Sequence, residues 1–299
     1  MVQPLAPAHL LNMGRFTLIP KEPIPDAIFN SGKSSDNTNK ENSQRITIVC
    51  AKSSQEKLIE TTDLLRWRHF DRDLLFQKMT FATSTDVCSS FQFPRMGNEL
   101  LASFWRVFQK SNRTILDLSK AIFSEAQRPL DDEVFLTVPR ATRYFISATP
   151  GSMARNKVLS ISFNSKDDMD LARVLINSNV FFWYWRVFGD GFLLNVDVLS
   201  KFPVANDVDS EYIDLAERLD QSLPYCTTFK MFRGERIPNY NFNRRMDLLL
   251  DIDAWIVKHV APDISLPHDI FAQYKSNSFL RSLDFSALVE VEEPETEDV

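Results

Sequence analysis

Two short patterns in this chain have the residue types and spacing of catalytic loops. Phe188-Gly189-Asp190-Gly191-Phe192 matches the FxGxG of an S-adenosylmethionine pocket, where glycines let a strand-to-helix turn approach the cofactor. Ser222-Leu223-Pro224-Tyr225 half-matches the [NDS]PP[YFW] loop that stacks on a flipped adenine, but it lacks the first proline. The residues before Gly189 read as helix where a strand is required, so a helix-ending turn and a loop outweigh the catalytic reading. Pro25-Asp26 with Gln55-Glu56-Lys57 mimics a magnesium-dependent nuclease, whose acids hold the ion and whose lysine orients water. A polar loop must run between its two halves and no second acid is clear. His9, His69, His259 and His268 show no paired ligand spacing, so neither a triad nor a metal site is assigned. Cys50, Cys88 and Cys226 are odd in number and far apart, and read as reduced thiols, mostly buried.

The stronger signal is electrostatic. Residues 134–166 contain Arg140, Arg143, Arg155, Lys157 and Lys166 and no acid. Five cations carried by strands and turns predict a positive face. Such a face binds phosphates, and its arginines can also read guanine bidentately in the major groove. A plain solvated surface is the competing reading. The aromatic run Phe181-Phe182-Trp183-Tyr184-Trp185 could stack on bases, but aromatics this dense in a helix mostly pack, with Tyr184 the expected exception.

The chain that must position these residues has 299 of them, 44% hydrophobic and 25% charged, as in an ordinary globular protein. Seven glycines are few for a protein built on Gly-rich phosphate cradles. The net charge of −6 is set by the end of the chain: residues 282–299 hold seven acids and no base, which leaves the other 281 residues at +1. No basic start followed by an unbroken apolar stretch opens the chain, so a cytoplasmic location is expected. Residues 174–194, the most apolar region, are too interrupted by polar groups for a membrane span.

After a proline-rich opening, residues 30–44 contain no large apolar side chain and read as a solvent loop. RITIVCA from Arg45 is a β-branched run expected to form a buried strand, and NELLASFWRVF from Asn98 has the spacing of an amphipathic helix. EVFLTVP, RYFISAT and KVLSISF read as short strands of a small β-rich module, separated by Pro139 and the Pro150-Gly151-Ser152 turn. Ser165 with Asp168 predicts a capping box opening one helix that carries Leu171, Val174, Leu175, Ser178 and Phe182 on one side, ended by Gly189 and Gly191. Residues 209–223 and 243–260 show helical periodicity.

INSNVFFWYWRVFGDGFLLNVDVLSKFPV, from Ile176, resembles the "lNSslfyWywrl-sDGrhlnk-dl-nFPi" signature that closes the target-recognition domain of adenine-N6 DNA methyltransferases of restriction-modification and related defence systems. GERIPNYNFNRRMDLLLDIDAWIVKHV, from Gly234, is similar to the "GNYNl…iTDeiDklI" segment that follows it. QRITIVCA and TTDLLRWRHFDRDLLF look like the late methyltransferase strand and the "RW…eR..LF" element upstream. The four occur in the family's order and cover most of residues 25–260. The family's cofactor motif and [NDS]PPY loop lie N-terminal to this region and are absent.

The resemblance implies a mixed α/β (α+β) chain. Residues 1–52 would be a remnant of the methyltransferase sheet, 53–124 a helical connector, 125–205 the target-recognition domain, 206–281 a C-terminal helical region and 282–299 an acidic tail. It further implies double-stranded DNA as partner, contacted by Arg140, Arg143, Arg155, Lys157, Lys166 and Tyr184. A separate methyltransferase catalytic chain is one candidate protein partner, a natural truncation being the alternative, and no metal or membrane is expected. S-adenosylmethionine belongs to the full-length family enzyme, and no cofactor or catalytic residue is assigned here. Two rivals stand beside this reading: an intact enzyme with atypical motifs, and an interaction or antirestriction module whose acidic tail mimics DNA.

Overall fold

A computed structural model describes residues 15–20, 47–52, 58–63, 79–87, 93–124, 134–142, 144–153, 157–191, 193–232 and 235–275. The chain divides into two compact units, one built mainly from residues 1–106 and the other mainly from 107–276. It is a mixed α+β protein, as expected.

The first unit holds a four-stranded mixed sheet in the order β2-β1-β3-β4, formed by β1 (Arg15–Pro20), β2 (Thr47–Lys52), β3 (Ile59–Thr61) and β4 (Ala82–Thr83). The expected RITIVCA strand is β2. It pairs antiparallel with β1, which pairs parallel with β3. The sheet therefore extends well past residue 52, and the segment expected to be a helical connector contributes strands. Helix α1 (Glu99–Phe108) forms where the apolar spacing put it. The Asn98 Oδ1 atom accepts from the Leu100 and Leu101 amides at 2.9 and 3.3 Å, satisfying two donors of the first turn. Arg106 ties the helix to β4 by donating to the Thr83 carbonyl at 2.7 Å and to Asp86 just beyond the strand at 2.8 Å, and it also donates to Glu99 of its own helix at 2.9 Å. Most of TTDLLRWRHFDRDLLFQKM lies outside the described residues, as do the Pro25-Asp26 and Gln55-Glu56-Lys57 pattern and the polar loop at 30–44.

The second unit opens with β5 (Arg113–Thr114), the short helix α2 (Ile115–Leu118) and β6 (Ser119–Ser124). With β7 (Phe135–Pro139), β8 (Thr149–Pro150) and β9 (Val158–Phe163), strand β6 forms an antiparallel sheet in the order β6-β9-β7-β8. This is the expected β-rich module. RYFISAT contributes less than expected: residues 144–148 are irregular, and only Thr149 and Pro150 beyond them pair with β7. The reason lies in Asn177, which clamps Ala148 by accepting from its amide at 3.0 Å and donating to its carbonyl at 2.9 Å, so that backbone is committed elsewhere.

The one helix expected over residues 166–188 is two, α3 (Lys166–Asn177) and α4 (Asn179–Phe188). Ser165 caps α3 as predicted, accepting from the Asp168 amide at 3.1 Å. At Ser178 the backbone turns extended (ψ 157°). Its hydroxyl donates to the Leu175 carbonyl at 2.6 Å and accepts from the Phe181 amide at 2.9 Å, which starts a new helix. Helix α5 (Val196–Ser200) and β10 (Pro203–Val204), paired with β5, lead to α6 (Glu211–Cys226). A two-stranded hairpin follows, β11 (Thr227–Phe232) and β12 (Glu235–Tyr240). A 3-10 turn (Phe242–Arg245), α7 (Met246–Val260) and a second 3-10 turn (Ala272–Lys275) complete the described chain. The region expected to be helical thus contains a sheet element.

The core of this unit is aromatic. Phe181 and Phe202 meet edge to face at 5.0 Å, and Phe108 and Tyr184 close on Phe202 at 5.3 and 5.1 Å. Each fully buried ring contributes about 1.5–3 kcal/mol. Beneath it lies a polar knot. Asp253 of α7 accepts from the Asn179 amide and side chain at 2.9 and 2.7 Å and from the Val180 amide at 3.2 Å, and Lys275 donates to Asn243 at 2.7 Å. No helix among the described residues is long and apolar enough to cross a membrane.

Candidate nucleic-acid interface

Arg140, Lys157 and Lys166, the described cations of the basic window, fall outside its strands. Strands β7 and β9 are buried along nearly their whole length, so the described cations do not project from the strands themselves. The charge sits at strand ends. β7 and β9 run antiparallel with Pro139 opposite Val158, which places Arg140, just beyond one strand, beside Lys157, just before the other. The Arg140 amide donates to the Lys157 carbonyl at 3.0 Å and its carbonyl accepts from the Leu194 amide at 2.8 Å. Ala141 bridges Leu193, and the Arg140 guanidinium reaches Asn195 Oδ1 at 3.4 Å. Leu193 and Asn195 come from the segment beginning at Ile176, so that segment braces the backbone from which Arg140 projects. Lys157 is exposed and Arg140 half-buried.

Lys166 does not join them. It starts α3 at the other end of β9, a strand about 20 Å long. There it forms an ion pair with Asp170, whose carboxylate raises the lysine above its ordinary value. Arg143 and Arg155 lie outside the described residues. The expectation for Tyr184 is corrected: the ring is 4% exposed, packed against Phe181, Phe188 and Phe202 at 5.1–6.2 Å. Burial pushes its hydroxyl up, and a ring enclosed on these sides presents no face to a base.

The catalytic look-alikes have structural explanations. Helix α4 runs directly into Gly189, whose amide donates to the Trp185 carbonyl at 2.7 Å, and a Cβ there would stand 2.5 Å from that oxygen. Gly191 has φ 75°, a left-handed turn. The glycines end a helix and do not form a strand-to-helix turn. Ser222-Leu223-Pro224-Tyr225 is the last turn of α6, not a loop.

Elsewhere a shallow concavity of about 510 Å³ is lined by Arg113, Asn206, Asp207, Val208, Asp209 and His259. Asp209 accepts from Trp255 Nε1 at 3.0 Å and Lys258 at 3.2 Å, and His259 Nε2 stands 3.1 Å from it. The Trp255 hydrogen bond leads in holding this carboxyl below the usual range. An Asp–His contact can orient a base, but the lining offers it no hydroxyl or thiol, and the contacts fasten the start of α6 to the end of α7. No group of three His, Cys, Asp or Glu side chains among the described residues could hold a metal ion.

Sequence reading missed the β11–β12 hairpin and the 3-10 turn after it. Residues 225–245 carry Lys230, Arg233, Arg236, Arg244 and Arg245 against one acid, Glu235. That single acid hid a basic segment denser than the acid-free window. Phe229 and Met231 on one hairpin face are 50% and 67% exposed, and the Arg236 guanidinium lies 3.8 Å over the Phe229 ring.

No family model matches the chain, and neither the curated proteins nor the solved structures yield a match.

Proposed function

We propose that this chain is a duplex-DNA recognition component, the C-terminal part or separate specificity chain of an S-adenosylmethionine-dependent adenine-N6 DNA methyltransferase of the defence class, and does not transfer methyl groups alone. The observation that carries the reading is the meeting of Arg140 and Lys157 at one end of the β7–β9 ladder. The same acid-free stretch of sequence also holds Arg143 and Arg155. Phosphate oxygens are the natural ligands of such a cluster, because a mobile lysine supplies point charge and an anchored guanidinium supplies directed donors. The resemblance of the segments beginning at Ile176 and Gly234 supplies the methyltransferase context. Their union through Asn179–Asp253 gives these segments a structural reason to occur together. A cytoplasmic location belongs to this reading.

The test is an anisotropy titration of a labelled duplex with the full chain and with Arg140→Ala/Lys157→Ala. The double variant is expected to lose affinity about tenfold or more while keeping its fold. Equal binding by the two proteins would refute the assignment. S-adenosylmethionine titrated into the chain alone is expected to give no heat of binding, and micromolar binding would favour the intact-enzyme alternative.

A further inference from the structure

We infer that the β11–β12 hairpin is a second DNA contact, in which Phe229 and Met231 press as an apolar wedge on base steps of the minor groove while Arg236 holds the adjoining phosphate. It rests on the duplex-binding reading above but uses a different surface. Register places Phe229 opposite Pro238 and Met231 opposite Arg236, so these four share one face of the ribbon. β11 and β12 pair only with each other among the described strands. Met231 at 67% and, at the base, Tyr225 at 60% are the two most exposed large apolar side chains among the described residues, and Phe229 at 50% follows only these and Leu116 at 56%.

Charge selects the occupant. Residues 225–245 carry five cations against one acid, and with Arg245 held by Asp247 at 2.8 Å the other four suit a polyanion. A second copy of the chain docking face to face would oppose two such segments and be repelled. Apolar wedges flanked by cations bend duplexes by partly unstacking a step, and the energy of unstacking is returned by the longer contact that the bend allows. The Arg236 guanidinium, fixed over Phe229, keeps the cation beside the wedge.

The experiment uses the full chain and a short duplex with a donor and an acceptor dye at its ends, so that transfer efficiency reads bending and anisotropy reads affinity. Phe229→Ser/Met231→Ser, both exposed positions, is expected to abolish the rise in transfer and weaken binding about tenfold with the salt slope unchanged. Arg236→Gln is expected to flatten the slope by about one. Wild-type bending and affinity in the double variant would overturn the inference. So would double-variant binding that stays unchanged while self-association is lost, or while removal of residues 282–299 no longer alters binding, since either assigns the surface to a protein occupant. A wild-type chain that binds no duplex removes the proposed function itself, whereas wild-type binding with a silent double variant removes only the hairpin.

Discussion

Asp253 and Lys275 are both buried, and each is pulled toward its neutral form by lost hydration. Burial raises the Asp253 carboxyl above its ordinary value, partly opposed by the Asn179 hydrogen bond, and lowers the Lys275 ammonium. The two linkages have opposite signs. A carboxyl raised in the fold contributes stability below its ordinary range that is lost as pH rises through its native value. A lowered lysine contributes stability above its ordinary value that is lost as pH falls through its native one. Asp253→Asn, which leaves Lys275 without its countercharge, should therefore give a protein whose stability climbs with pH from neutrality towards the ordinary lysine value. Lys275→Met should give one whose stability falls as pH rises above the ordinary carboxylate range. Urea denaturation across pH reads both slopes, and two variants with the same sign of slope would contradict the buried pair. Asp253→Ala, which strands Asn179 and two amides as well, should cost about 3–5 kcal/mol.

At the scale of elements, the run Ile176-Asn177-Ser178-Asn179 is a hub: Asn177 clamps Ala148, Ser178 divides α3 from α4, and Asn179 binds Asp253. Asn177→Ala, which leaves a buried amide and carbonyl unpaired, should lower stability by about 2–4 kcal/mol in denaturant melts, against about 1 kcal/mol for Ser178→Ala. A smaller loss for Asn177→Ala than for Ser178→Ala would contradict this division of roles. Helix α1, the Ser165 cap and strand β2 were legible because periodicity and capping are local. The break at Ser178 was not, since three polar side chains compete with the helical backbone for partners up to 74 residues away in the sequence. The hairpin escaped because Gly234 and Pro238 read as loop signals and its alternation is interrupted by charges. Tyr184 shows the same limit at the candidate site, because aromatic spacing cannot tell which ring the neighbouring Phe202 encloses. Strand β2 ends its sheet among the described strands, and an open edge recruits a partner strand. Light scattering should show concentration-dependent self-association, and a monomer at all concentrations would contradict it.

For the molecule as a whole, charge is divided by sequence: a body near neutrality, two basic segments at 134–166 and 225–245, and seven acids in residues 282–299. Binding to a polyanion should therefore depend on local cations rather than on net charge, and should persist despite the overall −6. The most direct measurement is the salt dependence of duplex affinity by fluorescence titration. About four phosphate contacts predict a log–log slope of roughly −3 to −4 for the wild-type chain. Lys157→Ala should flatten that slope by about one and weaken binding to all sequences alike, while Arg140→Ala should either do the same or, as a base reader, cost about 1–3 kcal/mol on a preferred site alone. A flat salt dependence, or a slope and affinity that neither substitution changes in a folded protein, would contradict the account and leave the basic window a solvated surface.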